Sequence, residues 1–149
     1  MTAYDVINGR APRLDAPAKA TGRAVYVDDI KLPGMLYGTL LQSPYAHARI
    51  LNIDISKARN LPGVKSVVTA EDAGMVPYGV SPARYDETLF VKDRARYVGD
   101  EIAAVAAVDL ETALEAVSLI EVDYEELPAV FSVEEALAEG APHLHDKYP

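Results

Sequence analysis

An almost uninterrupted apolar run at residues 102–108, IAAVAAV, constrains the fold more than any other feature of this sequence. A strand formed by this run would have two apolar faces, so other elements must cover both of them. The run is far too short for a membrane span, which needs about 20 apolar residues. Asp109 follows as a helix N-cap, and the apolar residues after it keep the spacing of one helix face: Leu110, Ala113, Leu114 and Val117.

Shorter strands and helices surround this buried strand along the chain. Alternating apolar and polar residues predict half-buried strands at 50–56 and 120–127, further strands are predicted at 35–43 and 64–70, and a short strand is expected at 24–30. Short helices are predicted at 57–61 and 133–138, with one helical turn after Thr69. The irregular succession of strands and helices predicts the α+β class, with a mixed sheet and two or three short helices.

One domain with a loose segment at each end is the expected organisation. Residues 1–23 are expected to be extended because Pro12 and Pro17 oppose regular helix. Residues 24–142 form the expected domain, and residues 143–149 form a tail. Within the domain, residues 74–91 show little periodicity, and a loop of this length is usually functional or docked on another surface.

The composition excludes several classes of function. The chain has no cysteine, so it supplies no disulfide, no thiolate ligand and no cysteine nucleophile. Its net charge of −9 and the lack of any basic cluster argue against binding to nucleic acid or to anionic membranes. The first residues lack the apolar stretch of a secretory signal, which leads to an expectation of a cytoplasmic location.

Two acids beside a glycine are the first candidate for chemistry. Asp100 and Glu101 follow Gly99 directly before the apolar run, and paired carboxylates can bind a metal or transfer protons. Acid–base work requires partners that converge in space, and the sequence indicates none. We therefore favour a structural turn whose glycine permits a positive φ and whose acids stay solvated.

The three histidines are the second candidate. His143 and His145, with Asp146, have the i, i+2 spacing that lets a strand chelate zinc or nickel. They lie in the expected tail without further ligands, so a solvated or interdomain tail is the preferred interpretation. For His47 we expect a turn histidine bonded to the backbone.

No known catalytic or nucleotide-binding motif is present. GxGxxG, GxxxxGK[ST] and GxSxG are all missing. The acids of the predicted strand 120–127, together with Asp86 and Glu87, could attract a basic partner, although a solvated acidic face is more common. We therefore expect no catalytic, cofactor-binding or metal-binding residue in this chain.

Several motifs, in order, nevertheless resemble one family. KATGRAVYVDDI at 19–30, SPYAHARI at 43–50 and PGV followed by TAED match the opening of the molybdenum-binding large subunit of the xanthine dehydrogenase and aldehyde oxidase family. VGDEIAAVAA at 98–107, the alanines of the next helix and VDYEELP at 122–128 are similar to later motifs. The resemblance covers roughly residues 10–146. Tyr45 and Glu101 depart from it, since His and Pro are common there.

The resemblance implies the α/β hammerhead fold and a chain that is only part of a larger subunit. It implies that molybdopterin and the glutamate base lie in domains outside this sequence, with FAD and iron–sulfur clusters on other domains or subunits. The expected partners are therefore the molybdopterin-binding domains of the same subunit and the flavin and iron–sulfur subunits.

The VPYGVSP segment at 76–82 resembles 4-hydroxybenzoyl-CoA reductase most closely within the family. That likeness implies reductive removal of a phenolic hydroxyl from an aromatic thioester. The alternatives are hydroxylation of an N-heterocycle or aldehyde with water as the oxygen source, and a free-standing interaction or regulatory module.

Overall fold

The computed structural model describes residues 12–74, 76–79 and 86–145 in two compact units. Within the first unit, which extends to Met35, helix α1 (Ala16–Ala20) lies where the sequence suggested an extended chain. Pro17 occupies the first turn of α1, where a backbone N–H has no helical partner, so the proline costs no hydrogen bond. The expected strand at 24–30 is not formed, because a 3-10 turn (Val27–Asp29) occupies its middle.

In the second unit, from Leu36, the described residues form six strands in two antiparallel three-stranded sheets. The first sheet has the order β1-β5-β3 and the second the order β4-β2-β6. In chain order the strands are β1 (Tyr37–Gln42), β2 (Ala48–Asp54), β3 (Val64–Thr69), β4 (Arg94–Ala95), β5 (Glu101–Ala107) and β6 (Glu121–Glu126). The α+β class is confirmed, whereas the expected mixed sheet is two antiparallel sheets. Alternation within one strand predicts its buried face but carries no information about the direction of its neighbour.

The described part of the second unit also contains four short helices: α2 (Ser56–Asn60), α3 (Ala70–Ala73), α4 (Leu110–Ser118) and α5 (Val133–Leu137). The predicted caps are present, since Thr69, Asp109 and Ser132 accept backbone N–H groups at the starts of α3, α4 and α5. Among the described residues, α3 is the helical turn expected after Thr69, and α1 is the helix that the sequence patterns did not predict. The longest described helix has nine residues, and none in these ranges is long and apolar enough to cross a bilayer.

The core consists of two apolar clusters that meet at β5. Ala103 and Val105 face helices α2 and α4 in one cluster, while Ile102 on the opposite face joins Ile50, Val91 and Ala95 in the other. Leu41, Ile53 and Val122 pack against both clusters. The sequence prediction that this strand is covered on both faces holds for the face of Ala103, Val105 and Ala107, whereas on the opposite face Ile102 is buried and Ala104 and Ala106 are half-buried.

Substitution of Gly63 tests how tightly the PGV turn packs on the end of β5. Gly63 has a φ of +98°, and a Cβ there would lie 3.1 Å from methyl groups of both Val108 and Thr112. Gly63→Ala is expected to lower the free energy of unfolding by about 2 kcal/mol, from backbone strain and overpacking together. Gly140→Ala is the control, because Gly140 has a φ of +82° and open space around it. Equal losses in urea denaturation would contradict the packing argument.

Candidate functional site

The VGDE segment forms the turn that leads into β5. Gly99 adopts a φ of +98°. Its N–H donates to the carbonyl of Ser43 at 2.8 Å, and the N–H of Ser43 donates to the carbonyl of Asp100 at 2.9 Å. These reciprocal bonds attach the turn to the segment that follows β1. A residue with a side chain would be strained at this positive φ, so glycine suits this position of the turn.

The Asp100 carboxylate is directed back into its own turn. The side chain is only 9% exposed, and Oδ2 accepts the backbone N–H of Arg96 at 2.8 Å. Burial raises the pKa of Asp100, and the bond from the Arg96 N–H opposes this effect only in part. Asp100 is therefore not the solvated acid expected from the sequence, because the fold encloses it.

Tyr97 stands next to Asp100 at the surface. Its hydroxyl donates to Oε2 of Glu101 at 3.4 Å. Burial, followed by the negative charges of Asp100 and Glu101, raises the pKa of Tyr97 to about 12. The phenol therefore stays protonated at neutral pH and serves as a hydrogen-bond donor.

Substitutions of Asp100 are expected to separate its charge from its hydrogen bond. Because the pKa of Asp100 is raised in the folded state, the folded protein binds more protons than the unfolded chain above about pH 4. Stability contributed by this group is thus lost as the pH rises through the folded pKa. Asp100→Asn keeps an acceptor for Arg96 and should gain stability relative to the wild type between pH 4 and pH 7. Urea unfolding across this range measures the difference.

Asp100→Ala provides the comparison variant. It leaves the Arg96 N–H without its acceptor and is expected to be about 2 kcal/mol less stable than Asp100→Asn at any pH in that range. If the difference in unfolding free energy between wild type and Asp100→Asn did not change with pH, the buried carboxylate would have no proton linked to folding.

A cavity of about 440 Å³ lies beside this turn. Asp86 and His145 form part of its wall, and His145 Nδ1 lies 2.5 Å from Asp86 Oδ2. The bond to His145 lowers the pKa of Asp86 in spite of the desolvation of its carboxylate. The other carboxylate oxygen, Oδ1, is buried and has no hydrogen-bond partner among the described residues. Nearby, Tyr78 and Glu87 exchange two backbone hydrogen bonds of 2.8 and 3.1 Å, which hold the ends of the 74–91 loop together.

The structure separates residues that the sequence had grouped. Asp86, with its side chain 12% exposed, faces His145 and is not part of a solvated acidic face, whereas Glu87 is exposed. His145, considered with His143 and Asp146 as a chelating set, bonds to Asp86 instead. Asp146 lies outside the described residues. Among those described, no group of three acids and histidines is arranged to hold a metal ion.

Two arginines that the sequence patterns did not single out hold the tail against this wall. Arg96 Nε donates to the carbonyl of Leu144 at 2.9 Å, and Arg94 Nη2 donates to the same carbonyl at 3.1 Å. Arg94 begins the short strand β4 and Arg96 follows its end, and this strand was not predicted from the sequence. Together with the Asp86–His145 bond, they make residues 144–145 part of the domain rather than a solvated tail. Polar groups of the cavity thus bond to residues 144–145 of the same chain.

A second junction joins motifs that are far apart in the sequence. His47 is 4% exposed, and its Nδ1 lies 2.6 Å from the carbonyl of Pro128, 81 residues away. The N–H of Leu127 donates to the His47 carbonyl at 2.9 Å. Tyr45 packs on Tyr124 with ring centroids 5.0 Å apart. The structure thus shows His47 as a turn histidine bonded to the backbone and Tyr45 as a packing residue.

The acidic face of β6 is paired with cations of its own domain. Arg49 on β2 lies directly opposite Glu125 on β6, and its guanidinium is 2.8 Å from the Glu125 carboxylate. Lys57 pairs with Glu121. These side chains are about half exposed, so solvent screens both pairs and they contribute little to stability. Their charges are nevertheless offset locally, which weakens the case for a basic partner at this face.

Comparison with known proteins identifies relatives over most of the chain. Residues 21–128 match the family model described as "Aldehyde oxidase and xanthine dehydrogenase, a/b hammerhead domain". A probable xanthine dehydrogenase subunit from Bacillus subtilis is 44% identical over 135 residues, which is 90% of this chain and 18% of that protein. The nicotinate dehydrogenase large molybdopterin subunit of Eubacterium barkeri is 36% identical over 146 residues, 95% of this chain and 33% of that subunit.

A solved structure has the same fold. Quinoline 2-oxidoreductase from Pseudomonas putida 86 superposes with a TM-score of 0.83 at 37% identity, covering 92% of this chain and 18% of that one. The chain therefore spans at most a third of the length of each of these relatives.

Proposed function

Because this chain belongs to the aldehyde oxidase and xanthine dehydrogenase a/b hammerhead family, we propose that it is the hammerhead domain of the large subunit of a molybdenum-dependent oxidoreductase. The match over residues 21–128, with motifs in family order, is the observation that carries the proposal. Residues 24–142 would be the domain proper, residues 1–23 a leading segment and residues 143–149 the connection to the domains that follow.

The role of this domain in the proposed enzyme is structural. The cavity beside Asp100 does not fit a molybdopterin, which carries phosphate. The guanidinium group of Arg96, which lines this cavity, is already engaged. It donates through Nε and Nη1 to the backbone carbonyls of Leu144 and Arg94. Asp86 and Asp100 in the same walls would repel an anion. We therefore place the molybdenum and its pterin in the other domains of the large subunit.

The other proposed cofactors and partners follow from the same assignment. FAD and iron–sulfur clusters would lie on other domains or subunits and would carry electrons away from the molybdenum. The molybdopterin-binding domains of the same subunit would be the nearest partners of the hammerhead domain, and the flavin and iron–sulfur subunits would complete the complex.

The reaction we favour is hydroxylation of a carbon atom in an N-heteroaromatic ring. The names of the relatives reported above, xanthine dehydrogenase, nicotinate dehydrogenase and quinoline 2-oxidoreductase, support this substrate class. In such a step water supplies the oxygen, a C–H bond becomes C–OH, and two electrons and two protons leave the substrate. An aldehyde carbon could react with the same balance.

Reduction of 4-hydroxybenzoyl-CoA is the second candidate, favoured by the VPYGVSP segment at 76–82, of which residues 80–82 lie outside the described residues. It would run in the opposite redox direction and release the phenolic oxygen as water. The two candidates therefore differ in whether the enzyme delivers electrons to its substrate or removes them.

Purification of the natural large subunit with its partner subunits tests the proposal. We expect bound molybdenum and incorporation of ¹⁸O from labelled water into an N-heteroaromatic substrate. Dehydroxylation of 4-hydroxybenzoyl-CoA with a reductant, without such incorporation, would support the second candidate. A natural polypeptide that ends near residue 149 and associates with no molybdenum protein would contradict both and favour a free-standing interaction module.

A further inference from the structure

The cavity of about 440 Å³ beside Asp100 is lined by two tyrosines, Tyr78 and Tyr97, and we call it the tyrosine cavity. Its volume lies within the range of about 300–1,000 Å³ that is typical of small-molecule sites. Tyr78 is 49% exposed and Tyr97 is 54% exposed. Neither side chain takes part in the bonds that hold residues 144–145 to the domain. The two rings are therefore accessible to a ligand.

One part of the lining places a tyrosine ring beside an unpaired carboxylate. Tyr78 and Glu87 lie opposite each other in an antiparallel bridge and exchange both of its backbone hydrogen bonds. Side chains of such a pair project from the same face, with Cβ atoms about 5 Å apart. The Glu87 side chain is exposed and makes no hydrogen bond or ion pair among the described residues. Its negative charge therefore remains available at the cavity.

A second part of the lining repeats this combination of a ring and a carboxylate. Tyr97 and Asp100 both belong to the turn before β5. Asp86 adds a third carboxylate, whose Oδ1 has no hydrogen-bond partner among the described residues. The guanidinium of Arg96 is the opposing charge in this lining, while the ring of His145 bonds to Asp86. A concave wall with more carboxylates than cations concentrates positive ligands.

We propose that the tyrosine cavity binds the ammonium group of a small organic amine. An ammonium ion is attracted by carboxylates and also by the faces of aromatic rings. A neutral apolar ligand would remove water from the Glu87 carboxylate without replacing it by a partner. A metal ion is a poorer match, because no group of three acids and histidines among the described residues is arranged to hold one. The inference goes beyond the proposed function and requires no molybdenum.

A ligand-detected NMR titration of the natural full-length protein tests the charge of the ligand. The probe is n-butylammonium, and 1-butanol is its neutral comparison because a hydroxyl replaces the ammonium group on the same carbon chain. We expect n-butylammonium to bind with a dissociation constant on the order of 1 mM and 1-butanol to bind about tenfold more weakly. Equal affinities, or no detectable binding of n-butylammonium, would overturn the proposal.

The amide of Nα-acetyl-lysine distinguishes the two sources of an ammonium group. It carries the same group as n-butylammonium, but on the side chain of a protein residue. Tighter binding of this compound than of n-butylammonium would support recognition of a lysine side chain from a protein. Weaker binding would support a free amine as the ligand.

Glu87→Gln and Glu111→Gln separate the effect of the cavity from that of overall charge. Both remove one negative charge, but Glu111 is an exposed residue of α4 outside the lining. We expect Glu87→Gln to bind n-butylammonium about fivefold more weakly and Glu111→Gln to change its affinity by less than about twofold. Equal effects of the two substitutions would contradict a direct contact with the cavity.

Tyr97→Leu and Tyr97→Phe test the aromatic part of the site. The leucine variant loses the ring and should bind n-butylammonium about fivefold more weakly, whereas the phenylalanine variant keeps a ring and should stay within about twofold of the wild type. Equal affinities in these two variants would overturn the role of the ring. Because bound molybdenum is measured separately in the same wild-type protein, failure of amine binding leaves the proposed function intact.

Discussion

Replacement of Ile102 by alanine is expected to lower the free energy of unfolding by about 3 kcal/mol. Ile102 belongs to β5 and is fully buried. Its side chain packs against Ile50, Val91 and Ala95. Truncation removes three carbons from water-free packing and leaves a cavity that the surrounding strands can fill only in part. Urea denaturation of the purified chain, monitored by far-UV circular dichroism, measures the loss.

Two further variants show whether this effect comes from burial. Ile102→Val removes one methylene group and should cost about 1 kcal/mol. Leu51→Ala also removes three carbons from a strand residue, but Leu51 is 61% exposed, so we expect a loss below about 1 kcal/mol. Similar losses for Ile102→Ala and Leu51→Ala would mean that β5 is not the common centre of the two clusters.

Replacement of His47 by alanine is expected to cost about 3 kcal/mol. The substitution removes a buried ring and leaves the Pro128 carbonyl without the partner that now lies at 2.6 Å. Both losses act on the junction between the turn after β1 and the segment after β6. Hydrogen exchange should therefore increase at the N–H of Leu127, which donates to the carbonyl of His47. Chemical denaturation supplies the overall free energy.

His47→Asn is the matched control for this prediction. Because asparagine retains a donor for Pro128, it should recover at least half of the loss seen in His47→Ala. Equal destabilisation by the two substitutions would show that ring packing, and not the bond to Pro128, stabilises the junction. Destabilisation by neither would contradict the assignment of His47 as a structural residue of this domain.

Local sequence patterns were sufficient for most of the regular elements. The run at 102–108 has two apolar faces, and β5 contributes to both clusters of the core. Asp109 and Ser132 were recognisable as caps because a side-chain oxygen before an apolar periodicity satisfies N–H groups that a helix leaves unpaired. The errors arose where local rules compete. Pro17 suggested irregular chain, yet a proline in the first turn of α1 removes no helical bond.

The candidate site was harder to predict because its contacts join distant positions. His145 was expected in a solvated or interdomain tail and Asp86 on a solvated acidic face, and only the fold brings them within 2.5 Å of each other. The two arginines that hold Leu144 carried no signal beyond their position before the VGDE turn. Asp100 appeared as a solvated acid because the sequence does not report how deeply a turn is enclosed.

The amino-acid sequence alone determined the α+β class, the buried central strand, the helix caps and the family resemblance, since each depends on residues close together in the chain. The tertiary structure alone decided the two antiparallel sheets, the burial of Asp100, the attachment of residues 144–145 and the bond between His47 and Pro128. Most of these features depend on pairings between distant residues, such as Arg96 with Leu144 and His47 with Pro128. Long-range contacts of this kind form because packing encloses particular groups, and no local periodicity records which groups those are.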